Sequence, residues 1–388
     1  EIYTLSLHDA LPIFGRYGTM AGTESSITWS LRGLYGRLGY VFDNKYIMEF
    51  NFRRDMTSRF PHKSRTVFSP SGSIAWVISQ ERFFESLRNL IPLFKIRASY
   101  GRLGNQEVDA YAYIPTMKAA QYSYAIGGSK PMYVAAPGLI AGDLTWEKVT
   151  TANVGVDLAL LKNRLSFTGD IYRRDTKDML TSQGRDLPSV LGTSVPRENA
   201  ADLKTLGWDL TVGWRDQFSL GGKPFNYNID FTLSDSYSEI TKVINSTGSL
   251  NSYYVGQQLG EIWGLNTLGI FASDEEAKKW VDQSQLLYQA GKYPSRAGTI
   301  KFEDRNKDGK ITSGKWTTDD PGDYYKIGNS SVRYRYGLTL GAQWNGFDLS
   351  SFFQGVMKHD YYPGWHDRFF WGRSEEHTSE LQSLGRIS

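Results

Sequence analysis

The alternation of apolar and polar side chains is strictest between Leu206 and Leu233. Leu206, Trp208, Leu210, Val212 and Trp214 share one parity, with Gly207, Asp209, Thr211 and Gly213 on the other. After Gly221-Gly222 the pattern returns as Phe225, Tyr227, Ile229, Phe231 and Leu233 against Asn226, Asn228, Asp230 and Thr232. A period of two describes a β-strand with one apolar and one polar face. Each run covers about nine residues, the reach a tilted strand needs to cross a bilayer. A soluble sandwich could bury the same parity between two sheets, so this hairpin alone leaves its surroundings open.

The pattern recurs along the chain. Strands are expected over residues 28–42, 46–53, 66–78, 93–101, 146–160, 165–171, the two arms above, 334–344 and 347–354, about ten antiparallel strands. Asp43-Asn44, Lys162-Asn163 and Asn345-Gly346 make tight turns, and Asn-Gly between alternating runs is the strongest short-range hairpin signal. Residues 81–92 make a modest connection at the same end as these turns, and at the other end the connections are long and polar: residues 55–64, 104–143, 175–198 and above all 243–330. Short turns therefore fall at one end of the strand pairs and long loops at the other. A sandwich has no reason to sort its connections this way, whereas outer-membrane barrels do. Lys95, Arg97, Arg333 and Arg335 all sit on the polar parity; facing lipid, each would cost about 2–4 kcal/mol at the midplane. The fold class is all-β, an antiparallel transmembrane β-barrel segment with long extracellular loops.

Composition sharpens this reading. No run of about 18 apolar residues exists in the 388, so the sequence offers no transmembrane helix. Mean hydropathy is only −0.43, yet aromatics reach 14%, with 24 Tyr and 11 Trp. That suits strands with one apolar face, ringed by aromatics where membrane meets water. The absence of cysteine removes disulfides and thiol chemistry. A net charge of +3 is too small and too evenly spread to argue for nucleic acid.

Both ends carry foreign-looking text. YTLSLHDALPI (residues 3–13) and RSEEHTSELQS (residues 373–383) resemble in-frame translations of the two ligation adapters used in short-read DNA sequencing. Residues 1–13 and 373–388 are therefore expected to be adapter-derived, leaving residues 14–372 as the barrel portion. On that expectation residues 5–13 are not a signal peptide, and His377 with Glu375 and Glu376 is not a metal cluster.

Several blocks resemble the SusC/RagA family of TonB-linked outer-membrane transporters. They are NKYIMEFNFRRDMTSRF (residues 44–60), FKIRASYGRLGNQ (94–106), LTWEKVTTANVGVDLALLKNRLSFTGDIYRRDTKDML (144–180), GQQLGEIWGLNTLGIFASDEEAKKW (256–280), KFEDRNKDGKI (301–311) and YGLTLGAQWNGFDLSSFFQG (336–355). The resemblance implies a 22-stranded barrel plugged by an N-terminal domain, with this chain as part of its second half. It also implies a SusD-like surface lipoprotein acting as a lid, and TonB pulling on the plug to admit oligosaccharides or peptides. The plug, the TonB-contacting segment, the earlier strands and the closing strand have no counterpart in the sequence. A passive porin, a surface adhesin and a soluble carbohydrate-binding sandwich are the competing readings.

The sharpest motif is Asp304-Arg305-Asn306-Lys307-Asp308-Gly309-Lys310-Ile311. Carboxylate, amide and carboxylate at alternate positions before a glycine match the first half of an EF-hand loop, with the Lys310 carbonyl as the next ligand. Position twelve is Lys315, which cannot ligate, so Asp319 or Asp320 is expected to supply the missing carboxylate of a structural calcium site. The alternative is an ion-free turn. Tyr253, Tyr254, Trp263, Trp280 and Trp316 could stack on cargo or form a satellite core under the long loop. Residues 275–289 resemble a short amphipathic helix started by Ser273-Asp274, with Ala277, Trp280, Val281 and Leu287 inward; loop packing is the preferred reading of the same stretch. His62, His359 and His366 have no ligand-like spacing, and acidic pairs such as Asp209 with Asp230 read as solvated wall charges. No residue set argues for catalysis.

Overall fold

The computed structural model describes residues 27–115, 117–135, 137–140, 144–181, 196–286 and 295–362. The adapter-like ends, His366 and Leu287 lie outside them. Ten strands form one large sheet: β1 (Leu31–Phe42), β2 (Tyr46–Thr57), β3 (Thr66–Val77), β4 (Leu93–Asn105), β7 (Glu147–Leu160), β8 (Leu165–Thr181), β9 (Glu198–Leu220), β10 (Lys223–Lys242), β15 (Arg333–Trp344) and β16 (Phe347–Lys358). Their spatial order follows the chain, β1-β2-β3-β4-β7-β8-β9-β10-β15-β16. Every expected strand is present. The connection after β4 carries β5 (Lys118–Gln121) and β6 (Met132–Ala135), and the connection after β10 carries β11 (Glu261–Leu265), β12 (Thr267–Ile270), helix α1 (Asp274–Lys279), β13 (Ile300–Phe302) and β14 (Tyr324–Asn329).

The tight turns have the backbone their residues demand. Asp43 and Asn44 lie at φ 52° and 54°, and Asn345 and Gly346 at 51° and 85°. Left-handed pairs of this kind match the twist of the strands they join, and Asn, Asp and Gly tolerate them best.

One parity of the sheet is apolar and uncovered. Leu38 on β1 is 71% exposed and Ile171 on β8 is 72% exposed, with Phe50, Ile74 and Val154 on the strands between. The other sheets among the described residues are two-stranded ribbons. Among the described residues no second large sheet covers this face as a sandwich would require. An apolar surface of this extent suits the lipid-facing side of a membrane barrel. At the short-turn end the aromatics turn their polar atoms to fixed partners. Tyr46 Oη and Trp76 Nε1 donate to Glu81 at 2.7 and 3.1 Å, Trp214 Nε1 to Tyr227 Oη at 3.2 Å, and Trp344 Nε1 to the Leu220 carbonyl at 3.1 Å. This is the behaviour of a girdle whose rings sit half in lipid and half in water.

Two expectations change in detail. Part of the loop expected over residues 175–198 is strand: β8 runs to Thr181 and β9 begins at Glu198, paired through shifts at Thr176/Met179 and Met179/Leu180. Polar residues on both faces erase the period-two signal there while the backbone ladder continues. Lys148–Asp178 (2.6 Å) and Lys204–Glu239 (3.0 Å) tie neighbouring strands in this region. The connection over residues 104–143 likewise carries the β5–β6 hairpin. Beneath the connections at this end, Phe60, Val67, Val108, Leu144 and Trp146 form a buried cluster.

The chain divides into two compact units, the larger holding the ten-stranded sheet. The smaller comprises Leu259–Lys315, Pro321–Arg333 and the residues after Gly355. Within it β11 pairs with β14 and β12 with β13. Leu286, Phe302 and Ile311 make its core, flanked by Leu265 and Val281. The helix expected over residues 275–289 is the six-residue α1. Ser273 Oγ accepts from Glu276 N at 3.2 Å, and Glu276 Oε2 accepts from Ala272 N at 2.8 Å, a reciprocal cap. The helix stops at Trp280 because the backbone beyond it is used elsewhere. Asp282 N donates to the Gly309 carbonyl at 3.1 Å, and Ile311 N to the Asp282 carbonyl at 2.7 Å.

Candidate functional site

The polar parity of the large sheet carries a row of charges over β4, β7 and β8. Register sets Lys95 opposite Asp157 and Arg97 opposite Gly155, and Gly155 opposite Asp170. Lys95 Nζ lies 2.8 Å from Asp157 Oδ2, and Arg97 Nε 3.2 Å from the same oxygen. The Arg97 guanidinium then reaches past Gly155 to Asp170, with Nη1–Oδ1 at 2.7 Å and Nη2–Oδ2 at 2.6 Å. Two cations and two carboxylates interlock, so this patch is polar but carries no net charge. The fork geometry that holds Asp170 by two bonds belongs to arginine alone.

Further along, Arg215 Nη2 lies 3.8 Å from Asp230 Oδ1, and Asn228 Nδ2 donates to Asp230 Oδ2 at 2.8 Å. Asp209 and Asp230 do not face one another: Asp209 pairs with Ser234, and Asp230 with Gly213. Asp209 also stands opposite Asp170 on β8.

In the smaller unit the Asp304–Lys310 loop is closed by its own side chains. Asp304 Oδ1 accepts from Lys307 N at 2.7 Å and Oδ2 from Gly309 N at 2.9 Å. Asn306 Oδ1 accepts from Asp308 N at 3.0 Å, and Asp308 Oδ1 from Lys310 N at 2.9 Å. Asp319 and Asp320 belong to the stretch Trp316–Asp320 of the larger unit. Inside the smaller unit the carboxylate that joins the loop is Asp323, with no exposed surface. Its Oδ1 accepts from Arg305 N at 2.8 Å and Asn306 N at 3.4 Å, and its Oδ2 from Thr312 N at 2.8 Å. Among the described residues no group of three or more acidic or histidine side chains comes together as a metal site would. Counting from Asp304 misses Asp323 because the chain leaves the smaller unit after Lys315 and returns at Pro321.

The aromatic candidates separate by burial. Tyr253 is 47% exposed, while Tyr254 is buried and packs within the loop. Trp316 is half-buried, its Nε1 donating to Asn251 Oδ1 at 2.9 Å. Trp263, in the smaller unit, has the Lys326 ammonium 5.7 Å from its ring centroid. Trp280 donates to the Phe302 carbonyl at 3.1 Å and meets Phe271 edge-on, so it is part of that unit's packing. Of the five rings, Tyr253 is the one with large exposed area.

A family model described as "TonB dependent receptor-like, beta-barrel" matches residues 5–297. The TonB-dependent receptor P39 of Formosa agariphila is 28% identical over 369 residues, covering 88% of this chain and 34% of that protein. The TonB-dependent receptor SusC of Bacteroides thetaiotaomicron is 29% identical over 366 residues, covering 90% and 33%. The chain thus spans about a third of the length of the curated relatives it matches. Among solved structures, the RagAB peptide transporter aligns with a TM-score of 0.64 at 22% identity, over 84% of this chain and 33% of that one. The RagAB importer in its open-open state aligns with a TM-score of 0.63 at 21% identity, over 87% and 34%. At these identities the likeness concerns the fold.

Proposed function

Because the chain belongs to the TonB dependent receptor-like β-barrel family, we propose that it forms wall and outer loops of an active importer of nutrient oligomers. The protein is a multi-pass β-barrel of the outer membrane. The observation that carries the proposal is the two-sided wall: uncovered apolar side chains on one parity, and counter-charged Lys95, Arg97, Asp157 and Asp170 on the other. Such a wall separates lipid from a watery passage.

The cargo in this reading is an oligosaccharide or a peptide. A passage whose cations are already matched by carboxylates holds neither strongly, so a moving oligomer exchanges water for polar contacts without being trapped. Tyr253 offers an exposed ring on which a sugar or side chain could stack. A SusD-like lipoprotein closes over the outer loops, and TonB draws on the plug of the complete transporter. The name of SusC and the fold of the RagAB peptide transporter support this reading.

The test is uptake of a labelled oligosaccharide and a labelled peptide by the host strain, with and without TonB. Import of one class should stop when TonB is removed and should return with the gene. Uptake that persists and simply follows the concentration gradient supports the passive porin. Surface binding without uptake supports the adhesin. Co-purification of a surface lipoprotein with the complete transporter tests the lid.

A further inference from the structure

The apolar face of the large sheet is not uniform. Across β3, β4 and β7 small and large residues alternate: Gly72 beside Tyr100, Tyr100 beside Ala152, Ile74 beside Ala98, and Ala98 beside Val154. With Phe50 on β2 and Ile171 on β8 they line a shallow, open groove of about 720 Å³. Lipid tails are as apolar as these side chains, so burial alone draws nothing to this place. Shape does: a groove left unfilled forfeits the dispersion contacts of its lining.

The groove has a charged end. Arg173 lies beside Ala152 on the same parity, two residues beyond Ile171 towards the long connections. Asp175 accepts from Arg173 Nε at 2.9 Å and from Nη2 at 3.0 Å, which orients the guanidinium. Arg102 stands two residues beyond Tyr100, opposite Thr150, exposed and with no carboxylate partner among the described residues. Two arginines and one aspartate leave net positive charge where the apolar groove ends. In this family's orientation the long connections face outward, so that end lies at the head groups of the outer leaflet.

We propose that this groove is a lipid site. It seats an acyl chain of an outer-leaflet lipid whose phosphate-bearing, anionic head group rests on Arg102 and Arg173. Shape selects the chain, and the two guanidinium groups select the head group. Ordinary boundary lipid has no such preference.

The test reconstitutes the complete transporter in phosphatidylcholine vesicles. Spin-labelled phosphatidylglycerol and spin-labelled phosphatidylcholine are compared for the fraction immobilised on the protein. Wild type should favour phosphatidylglycerol, and R102Q and R173Q should each reduce that preference about fivefold. G72L should lower the immobilised fraction of both lipids, since a Cβ there meets only the Glu49 carbonyl at 3.6 Å and the added side chain enters the groove. Heat-modifiable migration on gels verifies that each variant is folded. Equal affinity of wild type for the two lipids, or a preference unchanged in the folded R102Q/R173Q double variant, overturns the proposal. Uptake in the TonB experiment is read separately, so loss of the lipid site leaves the importer reading standing.

Discussion

Arg97 grips Asp170 by two bonds, 2.7 and 2.6 Å long, across a strand to which neither residue belongs. The span is possible because the intervening position on β7 is Gly155. A Cβ there would lie 2.5 Å from Asp170 Oδ1 and 2.7 Å from the Arg97 guanidinium carbon. Both are side-chain atoms, so an added side chain would break the ion pair rather than move the strand. G155V should destabilise the complete barrel by about 1–3 kcal/mol, the usual cost of an overpacked site. Gly39 on β1, whose Cβ would meet nothing within 4 Å, provides the control. G39V should stay within about 0.5 kcal/mol in the same urea unfolding series.

The charges of this patch should prove coupled. D170N leaves Arg97 with a single carboxylate partner shared with Lys95, and R97M leaves Asp170 without its fork. Arg97 is about one-third exposed, so solvent screening reduces what the pair contributes; each single change should cost about 1 kcal/mol. The double variant should cost clearly less than the sum of the two. Additivity in a double-mutant cycle would show the pair to be a surface contact without energetic coupling.

Acid should loosen the short-turn end first around Glu81. Its carboxylate is held below the usual range, chiefly by the Tyr46 hydroxyl, then by the Trp76 indole and by Lys45. A depressed carboxylate pKa contributes stability above its unfolded value, near 4.5, and loses it as pH falls through the lower folded value. Tryptophan fluorescence of the folded protein should therefore change at the Trp76 end below about pH 4.5. E81Q should flatten that transition; an identical acid transition in E81Q would place its origin elsewhere.

Asp323 should matter more to the long connection than any acid of the Asp304–Lys310 loop. D323N replaces an acceptor of three backbone N–H groups with an amide that turns an NH₂ towards one of them. A buried unsatisfied donor costs about 1–3 kcal/mol, so hydrogen exchange at Arg305, Asn306 and Thr312 should quicken by one to two powers of ten. Repeating the measurement with chelator and with added calcium separates hydrogen-bond closure from ion closure. From the bonds present, protection should be the same in both; protection that rises only with calcium would support an ion in the Asp304–Lys310 loop.

The strands were legible because half-buried sheet writes a period of two into the residues, and each tight turn carried the Asn, Asp or Gly its backbone requires. Where both faces are wet the signal vanished, as between Arg173 and Thr181, although the ladder continues there. The helix started at Ser273-Asp274 is present but short, ending at Lys279, for another reason. Amphipathic spacing reported a face that could pack, but Asp282 is taken into strand-like pairing with Gly309 and Ile311, a competition no local pattern reveals.

Sequence alone determined the antiparallel strands, the sorting of short and long connections, and which parity meets lipid, because these depend on neighbours within a strand or a turn. Only the tertiary structure decided that Arg97 reaches Asp170 over Gly155, that buried Asp323 accepts from Arg305, Asn306 and Thr312, and that Tyr254 is buried while Tyr253 is not. Those relations join residues on different strands, or residues flanking a stretch of chain that belongs to another unit. Distance along the chain carries no information about them.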